Sequence, residues 1–517
     1  MKKRVLGSSM LTLSLALSAC ASFDAPSKPA AAPAKAPAAV APKAAVPVER
    51  QVLAAKDGWA ALEGVTGGAA AKAEHVFTVS SRAELVKALK AAGNNPKIIK
   101  IKGTVNLSTD DAGKELTMKD YAVGPFEGAD PFDFKEYVET FAPAAWNLLL
   151  DPKTKKPPKL NAFQEDARKE SAKKQAKTIV IDVPSNTTII GLGTDAKIVK
   201  GNLKLGDKTE NVIIRNIAFE DAFDYFPAWD PTDSFQSSPE YPGCQDEFVD
   251  AKKGPQMCRG GRWNSEYDLI SIVGAKRVWI DQNTFSDGDR PDSMFPPVFP
   301  FPHNEMSQKV QHHDGAIDIT HGADLITISN NHFKDHDKLM LIGHSDSNKT
   351  DAGKLRVTLR HNLFENVGQR MPRVRYGKIH TYNNLFIGDA AGKYDPAKSG
   401  YENHVASLKM PKPQNITFGQ ALGAGQDSAI YSEHNVFEIK NGRIDSVVGS
   451  MKGKVFFDQG SIFNGKQTDL LKEINAADPK NPMTAEVGWK PELVAVPAVP
   501  AKDVPALVKA KAGAGKL

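Results

Sequence analysis

Apolar and polar positions alternate in short runs through the middle of the chain, as in "RVWID", "LITIS" and "LRVTL". The runs are rich in β-branched residues and have a period of two, which predicts strands. An asparagine follows each run, in "DQNTF" at Asn283, "NNHF" at Asn331, "RHNLF" at Asn362, "YNNLF" at Asn384 and "EHNVF" at Asn435, with a looser copy, "RNIAF", at Asn216. The closest spacing, Asn362 to Asn384, is 22 residues. A strand, an asparagine turn and a second strand at that interval make one coil of a parallel β-helix. Stacked coils set each asparagine above the next, so the amides can bond in a ladder while the phenylalanines stack inside. A β-sandwich is the competing reading, but its hairpins prefer Asn-Gly turns, and these asparagines mostly precede apolar residues. The expectation is an all-β chain with one solenoid from about Lys177 to Phe463. The repeat overrides the division into about three domains that length alone suggests.

Helical patterns flank the coils. "SRAELVKALKAAG" reads as a capped helix with a glycine stop, placed to cover the open end of the solenoid. "PFDFKEYVETFAPAAWNLLL" and "NAFQEDARKESAKKQAK" form a helical insertion. The tail "AVPAVPAKDVPALVKAKAGAGKL" is expected to pack outside or fray.

The N-terminus changes the picture of where the chain works. "MKKRV" is basic, "LGSSMLTLSLAL" is apolar but too short to span a bilayer, and "LSAC" ends in Cys20. This resembles a lipoprotein signal over residues 1–19, with lipid on Cys20; the other reading is ordinary secretion. The expected destination is an outer membrane or cell surface. An Ala/Pro-rich tether then runs over residues 20–57, and the folded domain occupies 58–517. In an exported chain Cys244 and Cys258 could pair; the alternative is two free thiols. The net charge of +5 over 517 residues is small. It does not indicate a nucleic-acid partner, and a monomer is expected.

Charge also raises a local question. "GQRMPRVRYG" carries Arg370, Arg373 and Arg375 within six residues. Three such cations need acids or an anionic ligand to meet them. Using the asparagines as a ruler, Lys338 lies seven residues past Asn331 and Arg370 eight past Asn362, so they should be neighbours on adjacent coils, about 4.8 Å apart. The same ruler sets Glu266 beside Asp314, with Asp268 and Asp318 nearby. Clustered carboxylates without cysteine favour calcium or magnesium over zinc. Asp314 and Asp318 are four apart, about 13 Å along a straight strand, so the chain must bend, and Gly315 would permit that. His312, His313 and His336 show no zinc spacing and read as structural.

With these residues in place the chain resembles the pectate lyases of polysaccharide lyase family one, in their calcium-dependent bacterial branch. The resemblance rests on ordered stretches including "GWA" at Gly58, "VPSNTTIIGLGTDAKI", "WNSEYDLISI", "VWID", "QHHDGAIDI", "DHDKLMLIGHSDS", "RVTLRHNLF" and "QRMPRVRYG". It implies a right-handed parallel β-helix. It implies calcium held by Asp268, Asp314 and Asp318, with Glu266 and Asp233 as further ligands once substrate binds. It implies Arg370 as catalytic base and Lys338 and Arg375 as grips on substrate carboxylates; Arg373 has no assigned role. One departure is Gln282, where the family usually has histidine, and it leaves local packing in question. The implied reaction is β-elimination on polygalacturonate, whose anionic sugars would meet the arginines. Two other readings stay open: a surface β-helix that binds polygalacturonan without catalysis, and a pectin lyase or hydrolase of similar fold.

Overall fold

The computed structural model describes residues 46–142, 162–230, 262–299, 309–392, 398–409 and 416–517, and the backbone alone of four short strands between 236 and 259. Cys20, Asp233, Cys244 and the Cys258 side chain lie outside the described residues. Among the described residues no helix is long and apolar enough to cross a membrane.

The alternating runs stack into three sheets that form a parallel β-helix. The first sheet has 10 strands, from Val76–Val79 through Lys276–Asp281, Asp324–Ser329, Arg356–Arg360 and Lys378–Tyr382 to Val455–Gln459. The second also has 10, from Thr104–Asn106 through Thr284–Ser286, His332–Lys338 and Leu363–Gln369 to Lys466–Gln467. The third has 8, among them Ile270–Val273, Ile317–Thr320, Leu341–Ile342 and Arg373–Val374. A coil crosses the first sheet, turns at the asparagine, crosses the second, and returns by the third. Inward Ile, Val and Phe side chains fill the interior.

The ladder is present. Asn283 donates to Asn331 at 3.1 Å, Asn331 to Asn362 at 3.1 Å, Asn362 to Asn384 at 3.0 Å and Asn384 to Asn435 at 3.0 Å. Inside it, Phe285, Phe333, Phe364, Phe386 and Phe437 stack at 4.5–5.1 Å. Asn216 is not a rung. Ile217 aligns with Asn283 and donates to its Oδ1 at 3.1 Å. Asn216 instead holds the left-handed turn position, φ 58°, one residue earlier. Gln282, Asn330, His361, Asn383 and His434 share that position, with φ between 48° and 55°.

Two boundaries move. Coils begin at Val76, before the expected Lys177, because the strands "VFTV" and "KIIKI" belong to coils without a ladder asparagine. The compact unit that holds the coils runs from Val46, ahead of Gly58. Leu53 is buried against Ala60, Val65, Ile213 and Trp279, and Asp57 ion-pairs with Arg360 at 2.7 Å. Proline and alanine before Val46 masked this change in the sequence.

The expected helices occur at Arg82–Ala91, Phe134–Thr140 and Phe163–Ile179. Ser81 caps the first, accepting from the Glu84 N–H at 3.2 Å, and Leu85, Ala88 and Leu89 are buried beneath it. Residues 143–161 of the expected insertion lie outside the described residues. The C-terminal tail packs on the outside. Gly513 N–H donates to Asn330 O at 2.8 Å and Gly515 N–H to Asn216 Oδ1 at 2.7 Å.

Candidate active site

Asp268, Asp314 and Asp318 converge where the third sheet begins. One carboxylate oxygen from each lies within 4.8 Å of the others. Asp268 comes just before the strand Ile270–Val273, and Asp318 lies in its neighbour Ile317–Thr320. Asp314 precedes that second strand on non-strand backbone, so the straight-strand distance does not apply. Gly315 serves by leaving room, not by turning the chain. A Cβ there would stand 2.4 Å from Asp318 Oδ1 and 2.8 Å from Asp268 Oδ1. Any side chain would fill the space between the carboxylates.

The ruler needs one correction. Ile270 pairs with Ile317, whereas Lys276 pairs with Asp324 in the next sheet. The turn His321–Gly322–Ala323 is one residue longer than Gly274–Ala275, so third-sheet register slips by one. Asp314 therefore faces Tyr267, whose carbonyl accepts its N–H at 3.2 Å, and not Glu266. Glu266 is exposed and outside the three-carboxylate group, and its N–H donates to Asp224 Oδ2 at 3.2 Å.

The carboxylates crowd each other. Burial, then Asp318 and Asp314, pushes Asp268 well above the ordinary carboxylate range. Burial and Asp314 push Asp318 up to about 7. For Asp314 burial acts the same way, but Lys338 and Arg370 outweigh it and hold the group below its ordinary value. Hydrogen bonds orient the set: Ser271 Oγ and Gly315 N–H donate to Asp268 at 2.6 and 2.9 Å, and Leu341 N–H donates to Asp318 at 2.8 Å. Three hard oxygen donors with excess negative charge and a gap kept clear by Gly315 fit a divalent cation of the calcium or magnesium type.

The cations stand beside them. Lys338 is buried, and its Nζ meets Asp314 Oδ1 at 3.0 Å. It pairs across the second sheet with Gln369, which puts Arg370 on the adjacent coil, as the ruler required. Arg370 has φ 61°, an uncommon conformation for a long side chain. Its Nε is buried without a protein partner, and among the described residues it forms no ion pair. Arg373 sits in the third sheet between Leu341 and Gly423. Arg375 has its own anion, Asp346 Oδ1 at 2.8 Å from Nε, and donates from Nη1 to Gly343 O at 3.0 Å. The three arginines are thus treated differently: Asp346 meets Arg375, and Arg370 is left facing the carboxylate cluster.

A buried charge network behind this wall escaped the sequence reading. His313 bonds Asp292 and Asp221, each at 3.0 Å. Burial opposes its charge, yet Asp287, Asp221 and Asp292 push it up to about 10, so it is an imidazolium. His336 bonds Asp287 through Nδ1 and the Lys338 carbonyl at 3.0 Å through Nε2. Lys309 and Asp337 pair at 2.7 Å beside Lys338. The histidines are structural, as expected; the acids that meet them, Asp221, Asp287 and Asp292, lie 21 to 92 residues away in sequence. Gln282 is remote from the carboxylates. It lies on the turn between the first and second sheets and donates to Lys516 O at 2.8 Å.

A family model described as pectate lyase matches residues 37–122, 158–238 and 249–517. The chain is 39% identical over 475 residues to a pectate lyase of Bacillus subtilis, covering 90% of this chain and 94% of that one. Its fold matches a solved pectate lyase bound to hexasaccharide, with TM-score 0.72, 37% identity, and coverage of 91% and 99%. It also matches the pectate lyase of Acidovorax avenae subsp. citrulli, with TM-score 0.74, 32% identity, and coverage of 93% and 98%.

Proposed function

The chain belongs to the pectate lyase family and is a polysaccharide lyase; from that premise we propose that it cleaves α-1,4-linked polygalacturonate by calcium-dependent β-elimination, giving unsaturated oligogalacturonides. The observation that carries the calcium reading is the convergence of Asp268, Asp314 and Asp318 around the space that Gly315 keeps open. Glu266 and Asp233 are proposed as further ligands in the substrate complex. A related pectate lyase has been solved with a hexasaccharide, in keeping with an oligouronate substrate here.

Elimination breaks the C5–H bond and the C4–O4 bond and forms a C4=C5 double bond. The C5 proton is a weak acid because the adjacent carboxylate resists further negative charge. Calcium held by the three aspartates would supply charge neutralisation at that carboxylate. Lys338 and Arg375 hold uronate carboxylates and fix the ring. The Arg370 side chain, in its neutral guanidine form, takes the C5 proton and becomes guanidinium, and the leaving O4 gains a proton from water. Free guanidinium keeps its proton above pH of about 12, so turnover is expected to rise on the alkaline side. Arg375 enters the reaction already oriented by Asp346, whereas the unpartnered Arg370 Nε leaves that side chain less committed.

We also propose that the chain is exported, held at a membrane by lipid on Cys20, and works as a monomer; the basic and apolar segments before Cys20 support the export. The experiment for the central reading is incubation with demethylated polygalacturonate. Ultraviolet-absorbing unsaturated ends are expected. Reducing ends without that absorbance would mean hydrolysis, and neither product would mean a binder.

A further inference from the structure

The "GWA" stretch at Gly58 has no part in the chemistry above. It lies on the outer face of the first sheet, a different wall from the carboxylates. There it borders a cleft of about 260 Å³ lined by Trp59, Thr358, His380, Trp489, Lys490 and Glu492. We propose that this cleft is a second carbohydrate site, which holds one uronate ring of a polygalacturonate chain while the catalytic wall works elsewhere on the polymer. The choice of sugar rests on the substrate proposed above.

The cleft has the construction of a binding site. Trp59 and Trp489 pack against each other, with ring centroids 5.4 Å apart and planes inclined at 47°, and the pair lines one side of the cleft. Indole faces take the apolar C–H face of a pyranose. The volume falls just under the roughly 300–1,000 Å³ of ligand pockets, which suits a single ring. Both rings are fixed. Trp59 N–H donates to Thr358 Oγ1 at 3.0 Å, and Ala60 N–H donates to Thr327 Oγ1 at 3.2 Å. Gly58 has φ 77°, and a Cβ there would lie 2.6 Å from Thr327 Oγ1, so only glycine lets the segment lie this close. Arg356, locked on Asp324, backs the Trp59 ring at 5.6 Å. On the other side Trp489 Nε1 donates to Ala429 O at 3.3 Å, and its ring rests 5.8 Å from Tyr431, which stacks on Phe457 at 4.3 Å. Gly58 N–H to Leu493 O at 3.0 Å joins the two segments.

Two features exceed what packing requires. Trp59 Nε1 is buried without a partner in the protein, a donor left over in an otherwise bonded wall. Lys490 and Glu492 stand exposed on the rim, a cation for a uronate carboxylate and an acceptor for ring hydroxyls. A second contact on one chain raises apparent affinity only for polymers long enough to reach both sites.

The test uses the full chain in two measurements. The first is retardation in gels containing polygalacturonate with chelator present, which removes calcium from the catalytic wall. The second is kinetics on long polygalacturonate and on trigalacturonate with calcium. Trp489→Ala should lose retardation and raise KM on the polymer about tenfold, with kcat/KM on the trimer unchanged. Lys490→Ala, an exposed position with no folding role, should lose part of the retardation, and Lys490→Arg should restore it. Parent-like retardation in both Trp489→Ala and Lys490→Ala would overturn the proposal. Equal retardation of the parent by a neutral galactan gel would overturn the uronate assignment. A parent inactive on both substrates yet retarded through Trp489 would sink the lyase reading and support this cleft.

Discussion

At Arg370 the chain places a cation on left-handed backbone next to three carboxylates and, among the described residues, gives it no ion pair. A role as proton acceptor and a purely electrostatic role are separable by exchange for lysine, which keeps the charge but not the planar fork. Arg370→Lys should lose about 10²–10⁴ in kcat with an unchanged melting curve. Arg375→Lys should mainly raise KM, because its grip acts in ground and transition states alike. A kcat within several-fold of the parent for Arg370→Lys would move the base elsewhere, with Lys338 the first suspect. The carboxylates make a second prediction at the same scale. Asp318 is pushed up to about 7 in the calcium-free fold, from an ordinary 3.8. The folded state therefore binds more protons than the unfolded state between these values, and stability must fall as pH rises through that window. Calcium displaces those protons. Melting in chelator should drop as pH rises from about 4 to 7, and added calcium should raise it more at the upper pH. Activity should vanish in chelator and return with calcium, and Asp268→Ala should raise the calcium requirement. A chelated protein that melts higher at the alkaline end would contradict the crowded-carboxylate account.

Strands and their turns were the most legible elements, because an inward β-branched or aromatic position and a turn asparagine recur at matching places in each coil. That repetition brought Lys338 and Arg370 together from residues 32 apart in sequence, as the pairing of Lys338 with Gln369 bears out. It failed where coils are unequal. One extra turn residue shifted Glu266 away from Asp314, and "RNIAF" mimicked a rung that Ile217 occupies. The charge network around His313 was illegible for another reason: its members come from three loops with no shared period. The ladder itself can be tested. Asn362 accepts from Asn331 N–H and Nδ2 and donates to Ile328 O and Asn384 Oδ1, all in the interior. Asn362→Ala would leave several of these groups unsatisfied and should cost about 3 kcal/mol by denaturant unfolding. Gln282→Ala, on the outer turn, should change neither that stability by more than about 0.5 kcal/mol nor kcat. Equal losses in both variants would mean that the ladder is not the stronger element.

On the scale of the whole molecule, the solenoid separates its tasks by wall: carboxylates and arginines at the third sheet, the tail docked on the asparagine turns, and the N-terminal segment strapped over the first sheet. Sequence composition put the end of the tether at residue 57, but residues 46–57 belong to the strap. Two truncations distinguish the boundaries. Removing residues 1–45 should leave a folded, active and unanchored enzyme, because the compact unit that holds the coils runs from Val46. Removing residues 1–57 also takes Asp57 from Arg360, a pair whose side chains are 6% and 7% exposed. Stranding a buried guanidinium costs about 3–5 kcal/mol, and Leu53 leaves its apolar contacts as well. The longer truncation should therefore melt well below the shorter one. Adding Arg360→Met to it should recover part of the loss, since a buried thioether needs no counter-ion. If both truncations melt together, the strap carries no load and the body begins at Gly58 after all. If Arg360→Met recovers nothing, the loss lies in the apolar contacts of Leu53 and not in the charge pair.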